Sequence, residues 1–256
     1  IPFPQAVPRV AVVDPEHCIR CGLCYRVCKA EAVNLDQEPE EVELEVGAII
    51  VATGFEPFDP RLKPELGYGR YPEVITSLEL ERLLSASGPT GGRVLVQGRE
   101  PRRVVFVHCV GSRDVQLGNP WCSRVCCMYT AKHAFTLKER IPDAQVTVLY
   151  MDVRAFGKGF EEFYDRVREH GVVYRRGNPA EVYRRGDELV VLFEDTLLGE
   201  PVELPADLVV LAVGLRPPRG LEELARTLKL PRSADGFLAE AHPKLRPVDT
   251  VVEGVY

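Results

Sequence analysis

Eight cysteines fall into two groups of four along the 256 residues, and thiolates at such spacing could bind metal. The first group follows the pattern C-x2-C-x2-C-x3-C and consists of Cys18, Cys21, Cys24 and Cys28. The second group has twelve, three and no residues between successive members and consists of Cys109, Cys122, Cys126 and Cys127. Four thiolates hold one 4Fe–4S cubane. The sequence therefore predicts two 4Fe–4S clusters and a role in electron transfer.

Two other uses of cysteine fit the pattern less well. Zinc ribbons use two separated C-x2-C pairs, whereas the first group is one continuous run, so a structural zinc site is the weaker alternative. A disulfide framework suits small secreted chains. This chain is long enough to bury a core and shows no secretory leader.

The first cysteine group has the spacing of a bacterial ferredoxin, and Lys29 stands where ferredoxins usually carry proline. We expect a short strand over Val10–Val13 before it and a return strand over Ala32–Leu35. In two-cluster ferredoxins the fourth cysteine of one run ligates the other cluster. Whether Cys28 completes the cluster of the other three cysteines therefore stays open.

The second cysteine group lies where a dinucleotide-binding domain would hold its nucleotide. The apolar run Val104–His108 predicts a strand, yet no G-x-G-x-x-G turn follows it, and the helix is predicted from about Ser123. Asp152 lies farther along the chain than a ribose-binding acid would. We predict that the pocket has become a cluster site and that nicotinamide binding is lost.

The adjacent cysteines of this group raise a geometric problem. Neighbours in a regular helix point about 100° apart, so two of them cannot easily ligate one cube. Either the start of the helix is distorted, or Cys126 or Cys127 lies outside the ligand set. His108 and His133, which flank the group, are expected to be hydrogen-bonded structural residues rather than ligands.

Two glycine-ended apolar runs predict buried parallel strands roughly 160 residues apart, Val46–Gly54 and Asp207–Gly214. With these runs and the cysteines, the sequence resembles the family of heterodisulfide reductase A subunits. The motifs that carry the resemblance are the first cysteine group, GAIIVATGF at 47–55, HCVGSR at 108–113, CSRVCC at 122–127, YMDVRAFGKG at 150–159, DGF at 235–237 and HPKL at 242–245.

The resemblance implies an α/β fold. A partial thioredoxin-reductase-like flavoprotein core with two dinucleotide-binding domains would carry an inserted ferredoxin-like module. Residues 1–45 would form the partial ferredoxin-like module, 46–92 a segment of the FAD domain, and 93–215 a nucleotide-binding-like domain with the second cluster motif. Residues 216–256 would return to the FAD domain.

The resemblance also implies cofactor sites and partners. All eight cysteines would be cluster ligands, and Thr53, Gly54 and Lys132 would bind FAD in the full-length protein. A lysine near a flavin ring favours its anionic reduced form, whereas a solvated lysine on the same helix is the alternative for Lys132. The implied partners are other heterodisulfide-reductase-type subunits and ferredoxin or hydrogenase-like electron donors, and a homodimer stays open.

The chain starts without methionine, stops in a strand-like run, and lacks both ends of the family's FAD domain. We therefore expect it to be part of a longer polypeptide. The net charge of −6 does not support nucleic-acid binding, and we expect the arginine pairs 102–103, 175–176 and 184–185 to be solvated loop charge. The longest apolar runs are too short for a transmembrane segment. Unpaired cysteines predict a reducing, cytoplasmic setting.

We therefore predict an oxidoreductase component, an iron–sulfur flavoprotein subunit that passes electrons between FAD and four-iron clusters. The alternative is a non-catalytic, cluster-carrying scaffold subunit of a quinone-interacting or related redox complex. Bound flavin favours the first, and clusters without flavin favour the second.

Overall fold

The computed structural model describes residues 13–14, 16–35 and 41–256. The chain divides into two compact units, residues 1–49 and 50–256. Apart from Val13, the predicted strand Val10–Val13 lies outside the described residues. No helix in the described ranges combines the length and apolar character needed to cross a bilayer.

The smaller unit holds one short helix among its described residues, α1 (Leu23–Val27), between Cys21 and Cys28 of the first cysteine group. The predicted return strand Ala32–Leu35 is wrong, because this segment has no strand assignment. A strand needs a hydrogen-bonded neighbour, and the described part of the unit supplies none for it.

The larger unit contains ten strands and four helices among the described residues. The strands are β1 (Glu56–Pro57), β2 (Val74–Thr76), β3 (Arg103–Val110), β4 (Gln145–Tyr150), β5 (Val173–Arg176), β6 (Pro179–Arg185), β7 (Glu188–Asp195), β8 (Glu200–Ala206), β9 (Leu208–Val213) and β10 (Leu215–Arg216). The helices are α2 (Ser77–Leu84), α3 (Cys126–Arg140), α4 (Phe160–Glu169) and α5 (Leu221–Thr227). Two 3₁₀ turns, Pro60–Leu62 and Pro64–Leu66, follow β1.

A five-stranded parallel sheet forms the centre of this unit, in the order β2-β9-β3-β4-β5. The predicted strands Val104–His108 and Asp207–Gly214 are confirmed as β3 and β9. Every residue of β9 is buried, because the strand has a neighbour on each side and a layer on each face. Strand β2 and helix α2 come from the 46–92 segment, so this segment joins the same sheet as residues 93–215.

A second sheet and a helical layer cover the two faces of the parallel sheet. On one face the antiparallel sheet β6-β7-β8 packs through Val182, Val191 and Phe193. On the other face α2, α3 and α4 pack through apolar side chains such as Leu80 and Leu137. This three-layer arrangement leaves the carboxyl ends of the parallel strands free to carry a site.

The predicted buried strand Val46–Gly54 is wrong. Only Ile49 forms a single β-bridge within this run, no continuous strand forms, and Val46 and Ile50 are 60% and 78% exposed. A parallel strand is buried only when strands flank it and helices cover it. Among the described residues, the backbone neighbour of this run is the end of the chain, where the N–H of Val51 donates to the carbonyl oxygen of Tyr256 at 2.6 Å, and this single contact does not bury the run.

One arginine of each pair is not solvated loop charge. Arg103, Arg175 and Arg184 lie at strand positions and form ion pairs with Asp207 (2.6 Å), Asp195 (2.9 Å) and Glu73 (2.8 Å), respectively. Each pair joins segments that are distant in sequence. Pairs of this kind cannot be predicted from local charge alone.

Candidate metal centre

The second cysteine group meets at the carboxyl edge of the parallel sheet. Cys109 lies near the end of β3, and Cys126 and Cys127 are the first two residues of α3. Strand β3 carries a bulge there, because Val107 pairs with Leu211 but Val110 pairs with Val213. A bulge adds one residue and redirects side chains at a strand end. Within it, Cys109 adopts a left-handed conformation with φ of 60°.

The four thiols lie within electrostatic range of one another. A hydrogen bond from the Cys126 thiol lowers the pKa of Cys109. The same contact, burial and the neighbouring thiols Cys127 and Cys122 raise the pKa of Cys126. Burial, together with Cys109 and Cys122, also raises the pKa of Cys127. The structure thus brings together the four residues that the sequence grouped.

The helix begins later than the sequence predicted. It starts at Cys126 rather than near Ser123, and the preceding Arg124 has a φ of 63°. Cys126 and Cys127 therefore occupy the first turn, where no regular helix precedes them. Both interact with Cys109 and Cys122, so the structure gives no sign that one of the adjacent pair faces away.

One sulfur of this group has a backbone donor. The backbone N–H of Arg124 donates to Cys122 Sγ at 3.3 Å, a contact of the kind that tunes cluster sulfurs. No three His, Cys, Asp or Glu side chains of the described residues converge closely enough to hold a single metal ion. A cubane binds each thiolate through a different iron and so needs wider spacing than one ion. Four soft thiols are a donor set that iron–sulfur clusters and structural zinc share.

Asp152, the predicted remnant of a ribose site, lies two residues beyond β4. Its carboxylate accepts hydrogen bonds from Arg113 (2.8 Å) and Arg154 (3.2 Å). Burial would raise the pKa of Asp152, but these two guanidinium groups outweigh it and lower the pKa. The Cys127 thiol contacts the Asp152 carbonyl oxygen at 3.8 Å. The Asp152 carboxylate is therefore hydrogen-bonded to two arginines, and its backbone contacts the cysteine group.

The first cysteine group also presents sulfur to backbone donors. The N–H of Arg20 donates to Cys18 Sγ at 3.4 Å, and hydrogen bonds from the backbone of Ala32 and Ala30 lower the pKa of Cys28. Gly22, between the second and third cysteines, has a φ of 72°, which permits the tight turn that the spacing needs. Cys21 and Cys24 are exposed.

The residues predicted to bind FAD come from two segments, Thr53 and Gly54 from a loop and Lys132 from α3. Lys132 is half-exposed on α3 and forms an ion pair with Glu81. Thr53 and Gly54 are exposed, and the next residue, Phe55, lines an apolar cavity of about 250 Å³. Glu81 lines the same cavity. Lys132 does not line the cavity itself but pairs with Glu81, which does, and an apolar, aromatic-lined space of this kind would suit a flat ring system.

Sequence reasoning missed Glu81 and misjudged His108. Glu81 bonds to both Lys132 and the buried His133, and no local pattern marks it, because its partners lie more than fifty positions away. His133 is hydrogen-bonded as expected. His108 is 2% exposed, and neither ring nitrogen has a hydrogen-bond partner among the described residues. Burial lowers the pKa of His108 to about 4.

Comparisons with known families agree with the first cysteine group and with the fold. Residues 24–256 match the family described as pyridine nucleotide-disulphide oxidoreductase, and residues 11–34 match the 4Fe-4S binding domain. The latter range contains the whole first cysteine group, so the chain carries a 4Fe–4S binding motif. The fold is the mixed α/β fold with a parallel sheet that the resemblance implied.

Similar proteins are found in methanogens. The A subunit of the H2:CoB–CoM heterodisulfide,ferredoxin reductase of Methanothermobacter marburgensis is 60% identical across 100% of this chain. The iron–sulfur A subunit of the CoB–CoM heterodisulfide reductase of Methanocaldococcus jannaschii is 51% identical, also across the whole chain. The chain spans 40% of the length of each relative.

The chain also has a distant structural likeness to a thioredoxin reductase from T. acidophilum. The TM-score is 0.47 at 17% identity, over 82% of this chain and 55% of that one. This likeness is too distant for a comparison of sites. The family match, by contrast, covers most of the residues, and the identity to the methanogen proteins is high throughout. The chain therefore belongs to the pyridine nucleotide-disulphide oxidoreductase family, and its whole length is similar to the A subunits of heterodisulfide reductases.

Proposed function

We propose that this chain is the cluster-carrying part of an iron–sulfur flavoprotein subunit of heterodisulfide-reductase type, which passes electrons between FAD and four-iron clusters. One observation carries the proposal. Four thiols converge at the carboxyl edge of the parallel sheet, where a pyridine-nucleotide domain would otherwise bind its cofactor. When bound there, a 4Fe–4S cluster would supply one-electron chemistry.

The chain's own residues would hold that cluster and set its potential. Cys109, Cys122, Cys126 and Cys127 are the proposed ligands. Burial of Cys126 and Cys127 limits water around the sulfurs, and the N–H of Arg124 neutralises part of the thiolate charge. Hydrogen bonding and burial are the two means by which a protein adjusts cluster potential.

A second cluster on the first cysteine group and a flavin complete the proposal. The exposed cysteines of that group, with N–H donors aimed at Cys18 and Cys28, are suited to electron exchange with a partner. Lys132 is proposed to lie beside the flavin, with Thr53 and Gly54 contributing to the same site. The relatives' names specify ferredoxin and the CoB–CoM heterodisulfide. We propose donors and partner subunits of that kind, and a cytoplasmic setting.

Iron, zinc and acid-labile sulfide analysis with EPR, on chain purified without oxygen, tests the cluster proposal. About eight irons and eight sulfides per chain are expected for two cubanes. Cys126→Ala should remove about four irons and leave the signal of the first group. Cys24→Ala should show the opposite pattern, and zinc without sulfide would contradict the proposal. About four irons in wild type would leave Cys28 with partners elsewhere.

Flavin and nicotinamide binding separate the remaining alternatives. If the chain is reassembled with the rest of the FAD domain, we expect one flavin per chain. Clusters without flavin would instead support the scaffold alternative. Titration with NADH should show no saturable binding, because cysteines replace the glycine-rich turn and Asp152 is tied to arginines. A tight NADH complex would refute the converted-pocket prediction.

A further inference from the structure

The imidazole of His108 is a buried polar group that lacks a partner. The side chain is 2% exposed, and neither Nδ1 nor Nε2 is hydrogen-bonded within the described residues. An imidazole carries at least one N–H in either protonation state. Leaving a buried donor unsatisfied is unfavourable, so such a group normally has a partner in the working protein.

The position of His108 indicates what that partner is. It precedes Cys109 directly, and both residues lie in the bulge that separates the Val107 and Val110 pairings. His108 and Cys109 line the same polar cavity, of about 250 Å³. Asp152 interacts electrostatically with His108, and also with the thiols of Cys109 and Cys127. The unpartnered imidazole therefore lies beside Cys109, one of the four proposed cluster ligands, and shares Asp152 as a neighbour with Cys109 and Cys127.

We propose that His108 is a positioning residue that donates an N–H hydrogen bond to a sulfur of the cluster bound by the Cys109 group, and so raises the reduction potential of that cluster. The proposal rests on the proposed function, since it requires a cluster at this site. A donor to sulfur stabilises the reduced cluster, which carries one more negative charge. The bulge matters because an unbroken strand would turn His108 and Cys109 to opposite faces.

The test uses the full chain with Cys21→Ala and Cys24→Ala, so that the remaining EPR signal comes from the Cys109 group. Cys109→Ala in this background should abolish the signal. A background protein without any cluster would refute the proposed function rather than the role of His108. With the cluster present, pulsed EPR on reduced protein labelled with ¹⁵N-histidine should show a nitrogen coupling.

His108→Leu should remove that coupling and shift the midpoint potential to a more negative value at unchanged iron content. His108→Gln keeps an N–H near the Nε2 position, and His108→Asn keeps one near the Nδ1 position. The variant whose N–H replaces the imidazole donor should restore the wild-type potential. The control is His170→Leu. His170 is 40% exposed, pairs with Glu139 and should leave both readouts unchanged.

An absent nitrogen coupling in the wild-type spectrum would overturn the proposal, as would a coupling that survives His108→Leu. A fully loaded His108→Leu protein with the wild-type potential would also overturn it. Should His108→Leu fail to fold, the wild-type spectrum and the potential of His108→Gln decide the matter. A merely structural role for His108 would change stability without moving the potential or the coupling.

Discussion

At the scale of single residues, the turn after β3 depends on backbone conformations that side chains rarely adopt. Cys109, Gly111 and Arg113 have φ values of 60°, 70° and 57°. A non-glycine residue with positive φ is strained, and such strain is concentrated at functional sites. The turn thereby presents Cys109 and the backbone beside it to the helix start, without the glycine-rich sequence of a nucleotide loop.

Gly111→Ala should destabilise this turn for two reasons. Alanine is strained at the positive φ of this position, and its Cβ would also clash with a neighbouring side chain. The new Cβ would lie 2.1 Å from Phe58 Cγ, and Phe58 is buried. Gly118→Ala is a matched control, because Gly118 has a φ of 68° but open space around its Cβ position. We expect Gly111→Ala to cost about 1–3 kcal/mol more than Gly118→Ala in urea unfolding. Equal losses would show that the Phe58 contact is easily relieved.

At the scale of elements, the two helices nearest the candidate flavin site begin in different ways. Helix α2 starts with a capping box in which Thr76 and Glu79 satisfy each other's backbone N–H groups. Helix α3 has no side-chain cap at Val125. Its first N–H groups and the positive end of its dipole are thus available to the anionic thiolates at its start. The missing cap is consistent with a cluster there.

Thr76→Ala should remove the cap of α2 and lower the free energy of unfolding by about 1 kcal/mol. The Thr76 hydroxyl accepts from the Glu79 N–H at 3.3 Å and donates to Glu79 Oε2 at 2.8 Å. Thr76→Ser keeps both bonds and should lose clearly less stability. Urea unfolding monitored by circular dichroism distinguishes the two variants. A Thr76→Ser protein as unstable as Thr76→Ala would assign the effect to the lost methyl group instead.

At the scale of the whole unit, ion pairs between distant strands tie the layers together. Arg103 donates to Asp207 before β9 and to Glu188 on β7, so one guanidinium links the parallel sheet to the antiparallel sheet. The Asp207 carboxylate also accepts the backbone N–H groups of Arg102 and Arg103 at 2.9 Å each. This network lies at the sheet end opposite the cysteines and supports the scaffold rather than the site.

Asp207→Asn should lower the free energy of unfolding by about 2 kcal/mol at neutral pH. Burial would raise the pKa of Asp207, but the hydrogen bonds from Arg103 outweigh it and lower the pKa. A carboxylate with a lowered folded-state pKa stabilises above its ordinary pKa, and this stabilisation is lost as pH falls through the folded-state value.

The difference in the free energy of unfolding between wild type and Asp207→Asn should therefore decrease as the pH is lowered. Urea unfolding at a series of pH values from 7 down to 3 measures it. Asp143→Asn, at an exposed position, controls for the loss of one charge. A deficit that stays constant with pH would show that the charge of Asp207 is not what stabilises the unit.

The cysteine spacing, strands β3 and β9, and the missing glycine-rich turn could all be recognised from the sequence, because each depends on residues close together in the chain. The sequence could not determine burial or contacts that depend on residues far apart in the chain. The apolar run Val46–Gly54 has the composition of a buried strand, yet burial depends on neighbours that local composition cannot report.

Only the tertiary structure showed that Glu81 bonds to Lys132 and that Arg103, Arg175 and Arg184 pair with acids in other segments of the chain. It also showed that the bulge places an unpartnered His108 beside Cys109. Thiolate chemistry belongs to residue types and their spacing, so the sequence determined which metal chemistry this protein carries. Burial, hydrogen bonding and electrostatic surroundings arise when separate segments pack together, so the fold alone decided how those thiolates are arranged and adjusted.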